Sequence, residues 1–263
     1  MKSAVLYGPG QPVVIEDLEL AEPAAGEALV RIVASGVCHS DLHLVDGTVP
    51  HPFPVALGHE GAGVVEKVGP GVTYVEPGDH VILSFVPTCG RCHHCVVGRP
   101  HLCSGFRTTT GLMPDGTRRL RKGDQEINHF TMLSCFAERA VVPEASLVKI
   151  RQDVPLEKVC LVSCAVTTGV GAAINTARVE AGSTCVVIGC GGVGLNVVQG
   201  CALAGAGRII AVDLLADKLR LAEQLGATHV IDASNEDVLT ALKRISRFGA
   251  DYAFEVVGPP GYD

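Results

Sequence analysis

The chain has 263 residues, 47% of them hydrophobic and 19% charged, with a formal net charge of −7. That composition excludes a disordered chain, and the excess of acids excludes a broad basic face for unspecific nucleic-acid binding. The length suffices for one large domain or two ordinary ones. Eleven cysteines would suggest disulfides in a small secreted protein. Here the N-terminus, MKSAVLYGPGQPVVIEDLEL, has a short apolar run broken by Gly8, Pro9 and Gly10 and does not read as an export signal. Metal binding is therefore the first expectation for the cysteines. No stretch approaches the ~18 consecutive apolar residues of a membrane helix, and a soluble, cytoplasmic protein without membrane partners is expected.

Residues 1–154 are rich in Val, Pro and Gly, with short apolar runs at Ala28–Ala34, Gly63–Val68 and His80–Phe85. Turn signals at Pro70-Gly71 and Pro77-Gly78-Asp79 separate them, so a mainly β domain of short strands is predicted. Two polar clusters interrupt it, Cys38-His-Ser-Asp-Leu-His43 and Gly58-His-Glu-Gly-Ala-Gly63. Then comes a lobe over about residues 86–107 that contains Cys89, Cys92, Cys95 and Cys103. The spacing C-x2-C-x2-C-x7-C suits a tetrahedral Zn²⁺ held by four thiolates at about 2.3 Å, a closed and therefore structural site. An iron–sulfur cluster also takes four thiolates, but the C-x2-C-x2-C-x3-C run of bacterial ferredoxins is not met. His93 and His94 stand by as alternative ligands.

From residue 155 onward the pattern alternates. Helices are predicted at 165–176, 192–204, 216–225 and 236–245, and strands at 184–188, 208–213, 229–232 and 251–257. Alternation of this kind means a doubly wound parallel sheet. Gly189-Cys-Gly-Gly-Val-Gly194 fits G-x-G-x-x-G, follows a strand and opens a helix, the context in which the glycines cradle a pyrophosphate at a helix N-terminus. Asp213, nineteen residues after Gly194, ends the next strand. A carboxylate there accepts from both ribose hydroxyls and repels a 2′-phosphate, so NAD is the expected cofactor, with Lys218 in reach of the same ribose. The sequence ends just after the fourth strand, whereas such a sheet runs 3-2-1-4-5-6. A C-terminally truncated chain, with an incomplete sheet and uncertain activity of its own, is expected.

Cys38, His59 and Cys164 each have a dull reading when taken singly: a packed thiol, a structural imidazole. Their flanks argue otherwise. Two thiolates and one imidazole make a Cys₂His zinc site with a fourth position for water or alcohol. At this point the sequence resembles the zinc-dependent alcohol dehydrogenases of the medium-chain dehydrogenase/reductase family. The matching motifs are Cys38-His-Ser-Asp41 with His43, Gly58-His-Glu-Gly-Ala-Gly63, the four-cysteine lobe, Cys164 with Thr168-Gly169, and Gly189–Gly194 with Asp213. Met113-Pro-Asp-Gly-Thr117 and His129-Phe130 resemble the class III-related branch.

The resemblance implies an α/β protein: a GroES-like mainly-β domain with a zinc lobe (1–154) and a Rossmann domain (155–263). It implies two zinc ions per chain, one catalytic on Cys38, His59 and Cys164 and one structural on Cys89, Cys92, Cys95 and Cys103. It implies hydride transfer from a primary or secondary alcohol to NAD through a zinc-bound alkoxide. Ser40 would bond the substrate hydroxyl and pass its proton through the cofactor ribose to His43. Asp41 would fix His59, and Glu60 would lie close behind the metal. His39 would meet the pyrophosphate beside Gly189, Gly191, Gly192 and Gly194. Thr168 and Val193 would pack on the nicotinamide, and Phe85 would line the alcohol pocket. His39 stands where many relatives have Arg. The stretch 46–54 lacks the extra acids expected of a thiol-adduct or formaldehyde dehydrogenase, which remains an alternative. A non-catalytic zinc-binding fragment is the alternative from another class. The implied partners are a small alcohol or aldehyde and, for the parent protein, further copies in a homodimer or homotetramer. Cys135, Cys160, Cys185, Cys190 and Cys201 match no ligand pattern and are expected to be packed thiols, Cys190 included although it lies inside the glycine loop.

Overall fold

The structure is a computed structural model that describes residues 1–258. The segment 259–263, with which the sequence ends, lies outside the described residues. The chain separates into two compact units, Met1–Cys164 and Ala165–Asp263.

The first unit is built on two sheets. One has the spatial order Val14–Asp17, Lys2–Leu6, Val55–Ala56, Gln125–His129, Leu120–Lys122, Glu19–Leu20. The other runs Arg139–Pro143, Glu27–Gly36, Glu60–Val68, His80–Leu83, Leu147–Lys149, antiparallel throughout. Val30, Val65, Val81, Leu83 and Val142 fill the core of the second sheet. Strand pairing shifts register between Leu29 and Val30 and between Ile32 and Ala34, bulges that bend the long strand over that core. Gly63 is required here, because a Cβ on it would lie 2.2 Å from the Arg31 carbonyl oxygen. This is the mainly β domain of short strands that the sequence pattern predicts, with the GroES-like architecture that the resemblance implies.

A buried ion pair ties Arg119 to Glu27 within this unit. Arg119 donates from Nε and Nη2 to the two carboxylate oxygens of Glu27 at 2.8 and 2.7 Å, and again to Asp115 at 2.6 Å. Its own backbone N–H donates to Nε2 of His129 at 2.9 Å. His129 is fully buried. That burial, and the positive charges of Arg119 and Arg118, push its pKa down to about 3, so the ring is held neutral.

The second unit carries a four-stranded parallel sheet in the order His229–Asp232, Arg208–Asp213, Thr184–Ile188, Tyr252–Glu255, which is 3-2-1-4. Helices follow at Gly192–Leu203, Ala216–Gln224 and Val238–Ile245. The last begins two residues later than expected because Asp237 caps it, accepting the Thr240 N–H at 2.8 Å. The fourth strand is shorter than expected because Glu255 turns the chain, accepting from the N–H groups of Val257 and Gly258. The expected helix 165–176 is α-helical only over Ala165–Gly171 and continues as a π-helix over Ala172–Ala177. Among the described residues, no single helix is long and apolar enough to cross a membrane.

The units divide at Cys164, ten residues beyond the 154/155 expectation. Leu156 and Cys160 pack with Ala62 and Ile82 of the first unit, and that packing keeps 155–164 with it. The consequence is chemical: Cys164 belongs to the same compact body as Cys38 and His59.

Candidate functional sites

The first unit holds two groups of metal-ligating side chains. In the lobe, the sulfurs of Cys89, Cys92, Cys95 and Cys103 all lie within 4.8 Å of one another. Cys92 Sγ is 3.5 Å from Cys95 Sγ and 3.9 Å from Cys103 Sγ. A zinc tetrahedron with bonds of about 2.3 Å has sulfur–sulfur edges of about 3.8 Å, so the donors fit that ion. Backbone N–H groups point at the sulfurs: Cys89 and Gly105 donate to Cys103, and Cys92 donates to Cys89, at 3.3 to 3.4 Å. The N–H groups of Cys95 and Ser104 push the Cys92 thiol down to about 5, while burial and the neighbouring thiols push Cys95 up to about 11. Four thiols this close do not all ionise unless a cation compensates them. His93 and His94 sit on a short helix, His93–Val96, outside the four-sulfur set.

The second group joins residues far apart in sequence. Cys38, His59, Glu60 and Cys164 each offer a donor atom, all within 4.8 Å of one another. Cys38 Sγ and Cys164 Sγ are 4.0 Å apart. Cys38 precedes the helix His39–Val45, and His59 and Glu60 lead into the strand Glu60–Val68. His59 is 2% exposed, and its Nε2 is buried with no hydrogen-bond partner. An orphaned imidazole nitrogen beside two thiols is costly unless something coordinates it. Its Nδ1 faces Asp41 Oδ2 at 3.2 Å, while Asp41 Oδ1 accepts the Gly58 N–H at 2.9 Å. The imidazole thus lies within ion-pair distance of a carboxylate that is itself fixed to the backbone, the kind of partner that metal-binding histidines take. The Cys164 thiol pushes Cys38 down to about 3, against the opposing effect of burial, with further help from His59 and Ser40. Burial works to lower His59, but Asp41 and Cys38 outweigh it and raise the ring to about 9. Glu60 moves up, from burial and from the negative charge of Cys38.

Around this group, Ser40 Oγ lies 3.6 Å from Cys38 Sγ. His39 and His43, one turn apart on the same helix, have ring centroids 4.8 Å apart, and His43 Nδ1 is 3.9 Å from Asp46 Oδ2. Phe85 meets His59 edge-on at 5.6 Å. Phe130 does the same at 5.3 Å, a contact that sequence reading did not find. The segment His129-Phe130 stood out only by resemblance, since nothing in its residue types signals a fold back toward His59. Phe130 is followed by Thr131, Met132 and Ser134 with φ of 53°, 62° and 51°, left-handed conformations that cost non-glycine residues about 1–2 kcal/mol each.

In the second unit, the loop 189–194 shows three different glycine roles. Gly189 has φ of 94°. A Cβ on Gly194 would lie 1.8 Å from the Gly189 carbonyl oxygen, so the helix starts close against the strand. Gly191 faces open space, with no heavy atom within 4 Å of where its Cβ would be, and this is the cradle a phosphate would fill. Gly192 and Val193 begin the helix Gly192–Leu203. Asp213 ends its strand with Oδ2 accepting the Cys190 N–H at 2.7 Å and Oδ1 accepting the Leu215 N–H at 3.0 Å. Lys218 Nζ is 3.9 Å from Asp213 Oδ2. Thr168 lies on the helix Ala165–Gly171, beside Gly169, whose Cβ would be 2.5 Å from the Val193 carbonyl oxygen. Thr168 and Val193 therefore stand on two closely packed helices. Cys135, Cys160, Cys185, Cys190 and Cys201 are all buried. Burial pushes the Cys190 thiol up to about 11, in keeping with the packed thiol expected at that position.

Residues 24–152 match the alcohol dehydrogenase GroES-like domain, and residues 192–263 match the zinc-binding dehydrogenase domain. The chain is 47% identical over 264 residues to the alcohol dehydrogenase class-3 of Drosophila melanogaster, covering 98% of this chain and 70% of that protein. It is 47% identical over 258 residues to the NDMA-dependent alcohol dehydrogenase of Amycolatopsis methanolica, again covering 98% and 70%. The crystal structure of benzyl alcohol dehydrogenase from Acinetobacter calcoaceticus superposes with a TM-score of 0.91 at 40% identity, over 98% of this chain and 71% of that one. An alcohol dehydrogenase zinc-binding domain protein from Burkholderia ambifaria gives 0.92 at 40% identity, over 99% and 71%.

Proposed function

The chain belongs to the zinc-binding alcohol dehydrogenases of the medium-chain dehydrogenase/reductase family, and we propose that it oxidises a small primary or secondary alcohol with NAD as hydride acceptor. The observation that carries this reading is the convergence of Cys38, His59 and Cys164 on one point with the His59 Nε2 unpartnered. These three residues would hold a catalytic zinc, and Cys89, Cys92, Cys95 and Cys103 a structural one. Bound there, zinc supplies the Lewis acidity that acidifies an alcohol hydroxyl, and NAD supplies the hydride acceptor.

The residues of the chain do the rest. Asp41 holds the imidazole of His59 in one orientation and one tautomer. Ser40, beside Cys38, would accept the proton of the substrate hydroxyl, and His43 would return it to solvent. Glu60, with a donor atom within 4.8 Å of those of the three ligands, would be a carboxylate neighbour of the metal. Phe85 excludes water next to His59 and shapes the alcohol pocket. The loop Gly189–Gly194 would receive the pyrophosphate, and Asp213 with Lys218 would select the unphosphorylated ribose. Thr168 and Val193 seat the nicotinamide.

Metal analysis combined with NADH fluorescence tests the proposal. Two zinc ions per chain, NADH binding and alcohol-dependent NAD reduction are expected. One zinc and no cofactor binding would instead identify a non-catalytic zinc protein.

A further inference from the structure

His59 owes its place to an unusual neighbour. The strand before it, Val55–Ala56, is only two residues long, and the chain then passes through Gly58 at φ of 101°. The loop 130–136 is stitched onto this segment. The N–H groups of Phe130, Phe136 and Cys135 donate to the carbonyls of Ala56, Leu57 and Gly58 at 3.2, 2.9 and 3.1 Å. The buried Ser134 hydroxyl donates to the Ala56 carbonyl at 2.9 Å and accepts the Phe130 N–H at 3.1 Å, tying both segments at one atom. The Phe130 carbonyl takes the Leu133 and Ser134 N–H groups and the Thr131 hydroxyl. A Cβ on Gly58 would lie 2.3 Å from the Phe136 nitrogen, so the two backbones touch there with no side chain between them.

The loop reaches this shape against its own residue types. Thr131, Met132 and Ser134 are left-handed, and none of them is Gly, Asn or Asp. Backbone strain of this kind persists only where the surroundings over-determine it, and it gathers at functional sites. Here it folds the chain back so that the Phe130 ring meets the His59 imidazole at an interplanar angle of 85°.

We propose that the loop 130–136 is a strained brace for the metal ligand His59: its left-handed residues press Phe130 against the imidazole, and the Ser134 hydroxyl locks the loop to Ala56. Ser134 is a positioning residue, acting on the metal through His59. This inference rests on the zinc site proposed above.

The four-cysteine centre is an internal control, because the loop makes none of these bonds to it. Zinc release from the full, zinc-loaded chain into excess chelator is followed for wild type, Ser134→Ala and Ser134→Gly. Both variants are expected to release the zinc of Cys38, His59 and Cys164 about 10-fold faster, the scale seen when a partner of a metal ligand is lost. Release from the four cysteines is expected to stay unchanged. Equal acceleration at both centres, or none at either, overturns the brace. A wild-type chain that holds only the four-cysteine zinc refutes the catalytic-zinc reading itself and takes the brace with it. Should neither Ser134 variant fold, Thr131→Asn decides. Asn tolerates the left-handed conformation, so a midpoint about 2–4 °C above that of Thr131→Ala, which equally lacks the hydroxyl bond to the Phe130 carbonyl, is expected with wild-type release rates. A midpoint at or below that of Thr131→Ala overturns the claim of strain.

Discussion

The two cysteine centres of the first unit are made from similar atoms in opposite ways. The lobe centre draws Cys89, Cys92, Cys95 and Cys103 from fifteen consecutive residues, and backbone N–H groups of the same short loop donate to the sulfurs of Cys89 and Cys103. The other centre draws Cys38, His59 and Cys164 from three separate elements, and it carries an orphaned nitrogen and a carboxylate, Glu60, whose pKa is raised. A closed set of thiolates stabilises structure; an incomplete set, held in place by residues that are not ligands, leaves room for chemistry.

The comparison breaks most sharply under ligand deletion. Cys164→Ser is expected to lower kcat/KM by at least about 10³-fold and to cost one zinc, with the fold retained, since loss of a catalytic Lewis acid removes several kcal/mol from the transition state. Cys92→Ser should cost the other zinc and with it the folded yield, because structural metal binding is folding free energy. Metal content and circular dichroism of the two variants check this; if both lose structure alike, the centres do not differ as described. Asp41→Asn sharpens the contrast. Catalytic zinc affinity is expected to fall roughly 10- to 100-fold while the lobe is untouched, read by competition with a chelator of known affinity. The second unit allows a smaller test. Asp213→Asn should weaken NAD about 10-fold, the worth of a charge-assisted hydrogen bond, as measured by fluorescence titration.

The smallest effect is on stability. The pKa of His129 is depressed to about 3 in the fold, against about 6.5 unfolded. Its contribution is fully present above pH 6.5 and is lost as the pH falls from there toward 3. Wild type is expected to lose about 1 kcal/mol between pH 6.5 and 5.5 through this one group. His129→Gln should lack that increment in denaturant titrations at the two pH values.

The same contrast explains what the sequence made legible. The lobe could be read from spacing alone, because its ligands and their geometry are local. The nucleotide loop was equally plain, since each glycine answers a local backbone need. Cys38, His59 and Cys164 needed their flanks and a family resemblance, because spacings of twenty-one and one hundred and five residues carry no geometry. The loop 130–136 was invisible for a different reason. Thr131, Met132 and Ser134 are not residues that announce a left-handed turn, so local propensity pointed elsewhere and tertiary bonds to Ala56 and Gly58 overrode it. The division at Cys164 was likewise set by packing, through Leu156 and Cys160, and not by the change in composition near residue 155.

Asp213 has a structural duty besides the cofactor role proposed for it. One of its oxygens is the acceptor for the amide of Cys190, inside the glycine loop itself. The group that would discriminate between the two nicotinamide dinucleotides is thus a structural strut of the phosphate cradle. Swapping it for a small neutral residue would make room for an extra phosphate and at the same time strand a buried amide. Conversion of such a protein to the phosphorylated cofactor would therefore demand at least a coupled pair of changes, the second supplying a new acceptor for that amide.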